Sequence, residues 1–153
     1  MQIKITASLD MNIGQVLKNH NLEEGGKVQK FVDSEVIRLM DDYTPDRNGI
    51  LKVSIRLNSV IGSGLLTQAT PYARYLYYGK LYVDPVYLKG AFYSDEYGFW
   101  SRPGVKKIPD PNGRELNYST AKSRLAGKQW FERMKADKKD QILKGAVLIA
   151  GGK

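Results

Sequence analysis

The sequence predicts an α+β protein in which a small antiparallel sheet is packed by a long helix in the first half and by a C-terminal helix. Apolar residues recur at steps of three and four in residues 27–42, and a second helical pattern covers residues 128–145. Between these helices, apolar and polar residues alternate from 51 to 58, which is the spacing of a strand. The 153 residues fit one domain, 1–153, that is large enough to bury a core.

Short strands are predicted on either side of the first helix. Residues 2–7 alternate cleanly, so their two isoleucines are expected to face inward from a strand. The helix ends before Pro45, which disfavours helical backbone at the preceding residue, and Asn48 with Gly49 predicts a turn. Residues 50–68 are rich in β-branched and aliphatic side chains, so one or two short antiparallel strands are expected there.

A short tyrosine-rich helix is predicted next, within residues 70–80. Four of the chain's ten tyrosines lie in this stretch. Thr70 can cap a helix with its hydroxyl, Pro71 suits the first helical position, and Gly79 suits the left-handed residue after the last turn. Because two helical turns are not stable alone in water, this helix must be packed in a core or an interface.

Residues 80–118 have no sustained hydrophobic period. They hold four of the six prolines together with many glycines and aromatic residues. A long irregular segment is unusual in a compact domain, and its aromatic content argues against simple disorder. We therefore expect an extended arm or loop with short strands that becomes ordered against a neighbouring molecule. The alternative is a hairpin folded back on its own domain.

The last predicted helix, residues 128–145, is anchored by Trp130 and Phe131, which are expected to pack in the core rather than to stack on a ligand. Its middle is polar nearly all round, so much of it should face solvent or a charged partner. Asn117, Ser119 and Thr120 are candidate capping residues for the region that precedes it.

Catalytic chemistry is nearly absent from the sequence. One histidine, His20, and no cysteine exclude a Cys–His pair and a multi-histidine metal site. No phosphate-binding P-loop is present, and the adjacent carboxylates, Asp41 with Asp42 and Asp95 with Glu96, are typical of solvated positions. We expect no enzyme activity, no cofactor and no bound metal. An apolar signal segment and a membrane span are also not seen, which favours synthesis in the cytoplasm.

The positive charge is confined to the last third of the chain. Residues 101–153 contain 13 Lys and Arg against 5 Asp and Glu, which accounts for the whole net charge of +8. Such asymmetry indicates either an anionic neighbour or a solvated basic surface. The candidates for contact with DNA phosphates are Arg102, Lys106, Lys107, Arg114, Lys122 and Arg124.

Three phrases in order carry a resemblance to a known family. They are Tyr-Thr-Pro-Asp-Arg-Asn-Gly-Ile-Leu at 43–51, Thr-Pro-Tyr-Ala-Arg-Tyr-Leu-Tyr-Tyr-Gly-Lys at 70–80, and Gly-Lys-Gln-Trp-Phe-Glu-Arg-Met-Lys at 127–135. Together the phrases resemble the minor capsid proteins of long-tailed bacteriophages and prophages, which are small head–tail connector (neck or tail-completion) proteins. The matching positions are Pro45, Gly49, Leu51, Pro71, Tyr72, Ala73, Trp130 and Phe131. The first turn departs from the family because Asn48 stands where a threonine is frequent.

The resemblance implies a structural subunit of the virion neck. It implies a homo-oligomeric ring around the DNA channel between portal and tail, with portal-side and tail-side neck proteins as neighbours. Contact with genomic DNA would be electrostatic and independent of sequence, with no membrane involved. A cyclic ring uses two different patches of each subunit, which suits exposed aromatic segments. The interface candidates are Tyr77, Tyr78, Gly79, Tyr82, Tyr87, Phe92, Tyr93, Tyr97, Phe99 and Trp100.

A second functional class is left open by the charge distribution. The basic residues of 101–153, interleaved with aromatic side chains, could provide non-specific nucleic-acid binding through phosphate neutralisation and base stacking. No helix-turn-helix, zinc-finger or RNA-recognition signature accompanies them. Sequence-specific reading of DNA is therefore not expected.

Overall fold

A computed structural model describes residues 12–152 of the chain, and the predicted strand at 2–7 lies outside them. The α+β class is confirmed. The helices are α1 (Ile13–Asn19), α2 (Lys27–Met40), α3 (Ile50–Asn58), α4 (Ala73–Tyr78) and α5 (Trp130–Ile149). The strands are β1 (Tyr82–Val83), β2 (Phe92–Ser94), β3 (Gly98–Trp100) and β4 (Ile108–Pro109). Among the described residues, no helix is both long enough and apolar enough to cross a membrane.

The core lies where α2 packs against α5, which confirms the two predicted helices as the main packing elements. Trp130 and Met134 at the start of α5 are almost completely buried. Farther along α5, Gly145 allows the ring of Phe31 to approach the backbone, because a Cβ there would overlap the ring. Between these positions, the hydroxyl of Tyr43, which follows α2, donates to Asp137 at 2.8 Å. α5 is thus held to the first half of the chain along its length.

The predicted strands at 50–68 are wrong. Residues 50–58 form helix α3, and no strand is present in residues 59–68. Leu51 and Ile55, four residues apart, are buried on one helical face and join the core, while Leu57 is 79% exposed. Asp46 accepts a hydrogen bond from the N–H of Gly49 at 2.6 Å, which organises the turn before the helix. Core packing therefore overrides the β-propensity of the aliphatic side chains.

A buried carboxylate ties the loop after α3 to α2. Asp33 accepts hydrogen bonds from the N–H groups of Gly62 at 2.7 Å and Gly64 at 3.1 Å, and from the side chain of Gln29 at 2.7 Å. Gly62 and Gly64 both have positive φ, which brings the two N–H groups to one oxygen. The loop is ordered by these bonds and not by strand pairing.

The start of α4 also differs from the prediction. The helix begins at Ala73, and the Thr70 hydroxyl, expected to cap it, is buried with no hydrogen-bond partner among the described residues. Its end is as predicted, because Gly79 follows the last turn with φ of 70°. Helix α5 begins at Trp130 after Gln129 in the left-handed region, without a side-chain cap. Residues 117–129 form no helix, so the candidate caps at Asn117, Ser119 and Thr120 are wrong.

Residues 80–118, which we call the arm, form two nested hairpins. The outer pair joins β1 to β4, with Val83 opposite Ile108, and an isolated bridge links Lys80 to Glu115. The inner pair joins β2 to β3, with Tyr93 opposite Phe99. The two strands of the inner hairpin have at most marginal contact with the described helices. The arm is thus paired with itself, in two hairpins, and its ordering by a neighbouring molecule stays a prediction.

We expect Ile55→Ala to lower the free energy of unfolding by about 2–5 kcal/mol, because it leaves a cavity in the core. Leu57→Ala should change it by about 0.5 kcal/mol or less, because that side chain is exposed in the helix. Urea denaturation followed by circular dichroism measures both. In the strand predicted from the alternation, Ile55 and Leu57 share one face, so equal losses would contradict the helix.

Candidate interaction surface

An ion pair between a buried carboxylate and a partly exposed arginine joins the end of β1 to the segment after β3. Arg102 donates from Nε to Asp84 Oδ2 at 2.6 Å and from Nη2 to Oδ1 at 2.8 Å. The N–H groups of Val86 and Tyr87 also donate to Asp84, at 2.9 and 3.1 Å. The guanidinium of Arg102, followed by these backbone donors, holds the pKa of Asp84 well below its usual range. Four hydrogen bonds to one carboxylate fix the conformation of this part of the arm.

A second ion pair joins the two halves of the arm near its root, the end at which Lys80 and Glu115 are paired. Arg114 donates from Nε to Asp110 at 2.5 Å, and its Nη2 donates to the carbonyl of Leu88 at 2.8 Å. The guanidinium of Arg114 lowers the pKa of Asp110. The N–H of Asp110 in turn donates to the carbonyl of Leu81 at 2.9 Å. These bonds join the outgoing and returning halves of the arm.

Most of the predicted DNA-facing residues make contacts within the chain. Arg102 and Arg114 are in the ion pairs above, and Lys107 donates to the carbonyl of Gly90. Lys122 donates to the carbonyl of Arg47 at 2.9 Å. The other two candidates, Lys106 and Arg124, are exposed. A role of these six residues toward DNA stays a prediction.

The aromatic residues of the inner hairpin are divided between its two faces. On one face, Phe92 stacks on Trp100 with ring centroids 4.9 Å apart, and Tyr87 meets Phe92 edge-on at 5.5 Å. On the other face, Tyr93 and Phe99 meet at 5.2 Å. Both are largely exposed, as is Tyr97 in the connecting turn; the exposed fractions are 65% for Tyr93, 73% for Phe99 and 73% for Tyr97. The arm therefore ends in an aromatic surface that the described part of its own chain, residues 12–152, does not cover.

The remaining interface candidates lie at the root of the arm. Tyr77 packs edge-on against Trp130 at 4.8 Å and so belongs to the edge of the core. Tyr78 is 55% exposed, whereas Tyr82 is half-buried against Tyr75. Gly79 is buried, and its carbonyl accepts from the N–H of Leu116 at 2.9 Å. The structure thus places the candidates in two groups, one at the root and one at the outer end of the arm, where the inner hairpin lies.

A groove of about 720 Å³ opens beside the root of the arm. The motif positions Pro45, Gly49 and Leu51, from the first phrase, line it together with Tyr72 from the second. The full lining, which we call the groove, is formed by residues 45–49, Leu51, Tyr72, Leu76, residues 117–119, Ala121 and Lys122. The other motif positions are not in its lining: Ala73 and Trp130 are buried in the core, Phe131 packs against it, and Pro71 is exposed.

The sequence reasoning missed an exposed apolar face on α3. Ile50, Val53 and Leu57 follow one another at steps of three and four and are all at least 46% exposed. The loop after the helix continues the exposed apolar surface with Val60 and Leu65. The signal that could have found this face is the helical spacing of 50, 53 and 57, which the strand-like alternation of 51–57 obscured.

The described residues offer no site for a metal ion, since no group of three His, Asp or Glu side chains comes together in 12–152. His20 Nδ1 lies 2.9 Å from the carbonyl of Ala150 at the end of α5. Asp41 forms an ion pair with Arg56 at 2.7 Å. The arrangement of the described residues is suited to surface recognition through aromatic and charged groups.

Comparison with models of known protein families, with curated proteins and with solved structures finds no match to this chain.

We expect Asp84→Asn to loosen the arm without unfolding the core, because Arg102 loses its anionic partner while α2 and α5 keep their contacts. Hydrogen–deuterium exchange should speed up in peptides from 80–118 and stay unchanged in α2 and α5. Asp95→Asn is the matched control, since this exposed carboxylate of the same arm makes no ion pair with another described residue. Equal effects of the two substitutions would contradict the role of the ion pair.

The arm should also lose stability in acid before the core does. The pKa of Asp84 is lowered in the folded arm, so its contribution is complete above the ordinary aspartate pKa of about 3.9 and is lost as the pH falls below it. NMR of the methyl groups of Val83 in the arm and Met134 in the core, both fully buried, separates the two regions. Val83 should broaden or shift first below about pH 4, and Asp84→Asn should weaken this dependence. Simultaneous loss of both signals would argue against an independent arm.

Proposed function

We propose that this chain is a structural subunit of the head–tail connector of a long-tailed bacteriophage or prophage, which assembles into a ring in the virion neck. The observation that carries the proposal is the aromatic surface at the outer end of the arm, which no other described segment of the chain covers. A subunit that serves by assembly needs such a surface, because exposed apolar patches on soluble proteins mark sites of protein interaction.

The motif positions add independent support. Pro45, Gly49, Leu51 and Tyr72 carry the resemblance to connector proteins, and they meet around one groove. The first three belong to the turn and to α3, and Tyr72 belongs to the start of α4. Because these motif residues form one surface, we expect them to act together in a single contact. In a ring, that contact is with a segment of the next subunit, since cyclic contacts join two different patches.

The proposed contact with DNA is electrostatic. Helix α5 carries four exposed or half-exposed lysines, Lys135, Lys138, Lys139 and Lys144. Lysines attract phosphates without reading the base sequence, although Lys135 also lies 3.6 Å from Glu132. The ion pairs of Arg102 and Arg114 reduce the charge that the arm offers to DNA. Contact through α5 in a lumen fits this distribution better than wrapping of DNA by the arm.

Deletion of the coding sequence from the phage or prophage that carries it tests the proposal. We expect filled heads and separate tails in electron micrographs, with infectious particles restored by the wild-type chain supplied in trans. Tyr93→Ser combined with Phe99→Ser should fail to restore joining, although the variant folds, because both side chains are exposed. Leu143→Ser on α5, also exposed, is the matched control and should restore it.

Normal joining of heads and tails without the chain would overturn the connector function. The alternative, a non-specific nucleic-acid-binding protein, predicts salt-dependent binding of duplex DNA by the free chain at roughly 10⁻⁶ M near physiological salt. Fluorescence anisotropy with a labelled duplex at several salt concentrations distinguishes the two functions. Weak or absent binding by the free chain favours the connector.

A further inference from the structure

The outer end of the arm combines aromatic side chains with negative charge. Tyr93, Tyr97 and Phe99 are exposed, and the turn that joins their strands carries Asp95 and Glu96. Within residues 12–152, neither carboxylate is in an ion pair. We call residues 93–99 the tip. Its surface is thus apolar and acidic at the same time, and it lacks a compensating cation from the described part of its own chain.

The groove has the opposite character. Its walls are partly apolar, with Leu51, Tyr72 and Leu76, and residues Arg47 and Lys122 supply positive charge. The one acidic residue in the lining, Asp46, lies 3.8 Å from the ammonium of Lys52 and is compensated there. The volume of about 720 Å³ falls within the range of about 300–1,000 Å³ that is typical of binding pockets. The groove therefore suits an aromatic segment that carries carboxylates.

The tip does not reach the groove of its own chain. Tyr118 and Leu76, which line the groove, also form the root of the arm, where the Tyr118 hydroxyl donates to the carbonyl of Leu76. The tip is at the opposite end of the nested hairpins, and its strands have at most marginal contact with the helices. A segment that complements a groove but is held away from it within one chain is suited to the groove of another copy.

We infer that the tip of one copy docks into the groove of the next copy, with Asp95 and Glu96 facing Arg47 and Lys122. The inference rests on the proposed ring assembly and assigns its two contact patches. Because tip and groove are different surfaces, each copy can give one and receive one, which is the head-to-tail arrangement that closes a ring. Charge complementarity fixes the register of such contacts, and the aromatic side chains supply buried area.

Cysteine cross-linking tests the contact cleanly because the chain has no cysteine of its own. Tyr97→Cys places a thiol in the tip, and Ala121→Cys places one in the groove, both at exposed positions. A mixture of the two full-length variants, one carrying a size tag, is treated with a short bismaleimide. We expect a mixed dimer of tip and groove variants. The control replaces the groove variant with Ser34→Cys, an exposed position on α2, and should give little mixed dimer.

Charge exchange provides the second readout. Glu96→Lys in the tip variant should lower the yield of mixed dimer by about tenfold, because like charges then face one another. Lys122→Glu in the groove variant should lower it similarly, and combining the two substitutions should restore it. Circular dichroism of each variant checks that the chain remains folded. Recovery by the paired exchange supports direct contact between the two patches.

Absence of the tip–groove product, or an equal yield with Ser34→Cys, overturns the docking contact. An unchanged yield after Glu96→Lys also overturns it. These results are distinct from failure of the connector function. If heads and tails require the chain but the product does not form, the docking contact fails and the connector remains. If the product forms but heads and tails join without the chain, the connector fails and contact between copies remains.

Discussion

The packing of Trp130 at the start of α5 is the interaction on which the rest of the structure depends. Its ring is almost fully buried, meets Tyr77 of α4 edge-on at 4.8 Å, and donates from Nε1 to the side chain of Gln68 at 2.9 Å. The N–H of Gln129 donates to the carbonyl of Tyr77 at 2.8 Å. Helix α4 has only six residues and no capping side chain, so this contact holds it in place. Its position in turn sets where the arm leaves the core at Gly79.

Two separate sources of stability follow from this arrangement. The helices are held by apolar burial between α2 and α5, whereas the arm has a small interior around Val83 and is fastened by the ion pairs of Asp84 and Asp110. Hydrogen bonds to charged groups are directional and specify one geometry, which apolar contacts do less well. An arm ordered in this way would lose less conformational entropy in any contact than a segment that folds on binding.

Helix α3 explains the main difference between the sequence prediction and the structure. Residues 51–57 alternate strictly, so each second side chain is apolar, and this pattern is compatible with a strand that buries one face. In the helix, the same four apolar side chains point in two directions. Leu51 and Ile55 are buried in the core, whereas Val53 and Leu57 are exposed to solvent. Local periodicity could not decide between these outcomes, because only the space available beside α2 and α5 determines which side chains are buried.

The sequence by itself determined the α+β class, the two long helices, the end of α4 at Gly79 and the aromatic character of the arm. Each of these follows from local patterns, namely helical spacing, the backbone freedom of glycine and composition. Tertiary structure alone decided that Arg102 and Arg114 pair with carboxylates of the arm, and that Pro45, Leu51 and Tyr72 meet at one groove. The reason is physical: Arg102 and Asp84, like Tyr72 and Leu51, are distant in the chain and meet only after the helices and hairpins have packed. Arg114 is four residues from Asp110, but its Nη2 reaches the carbonyl of Leu88 only in the folded arm.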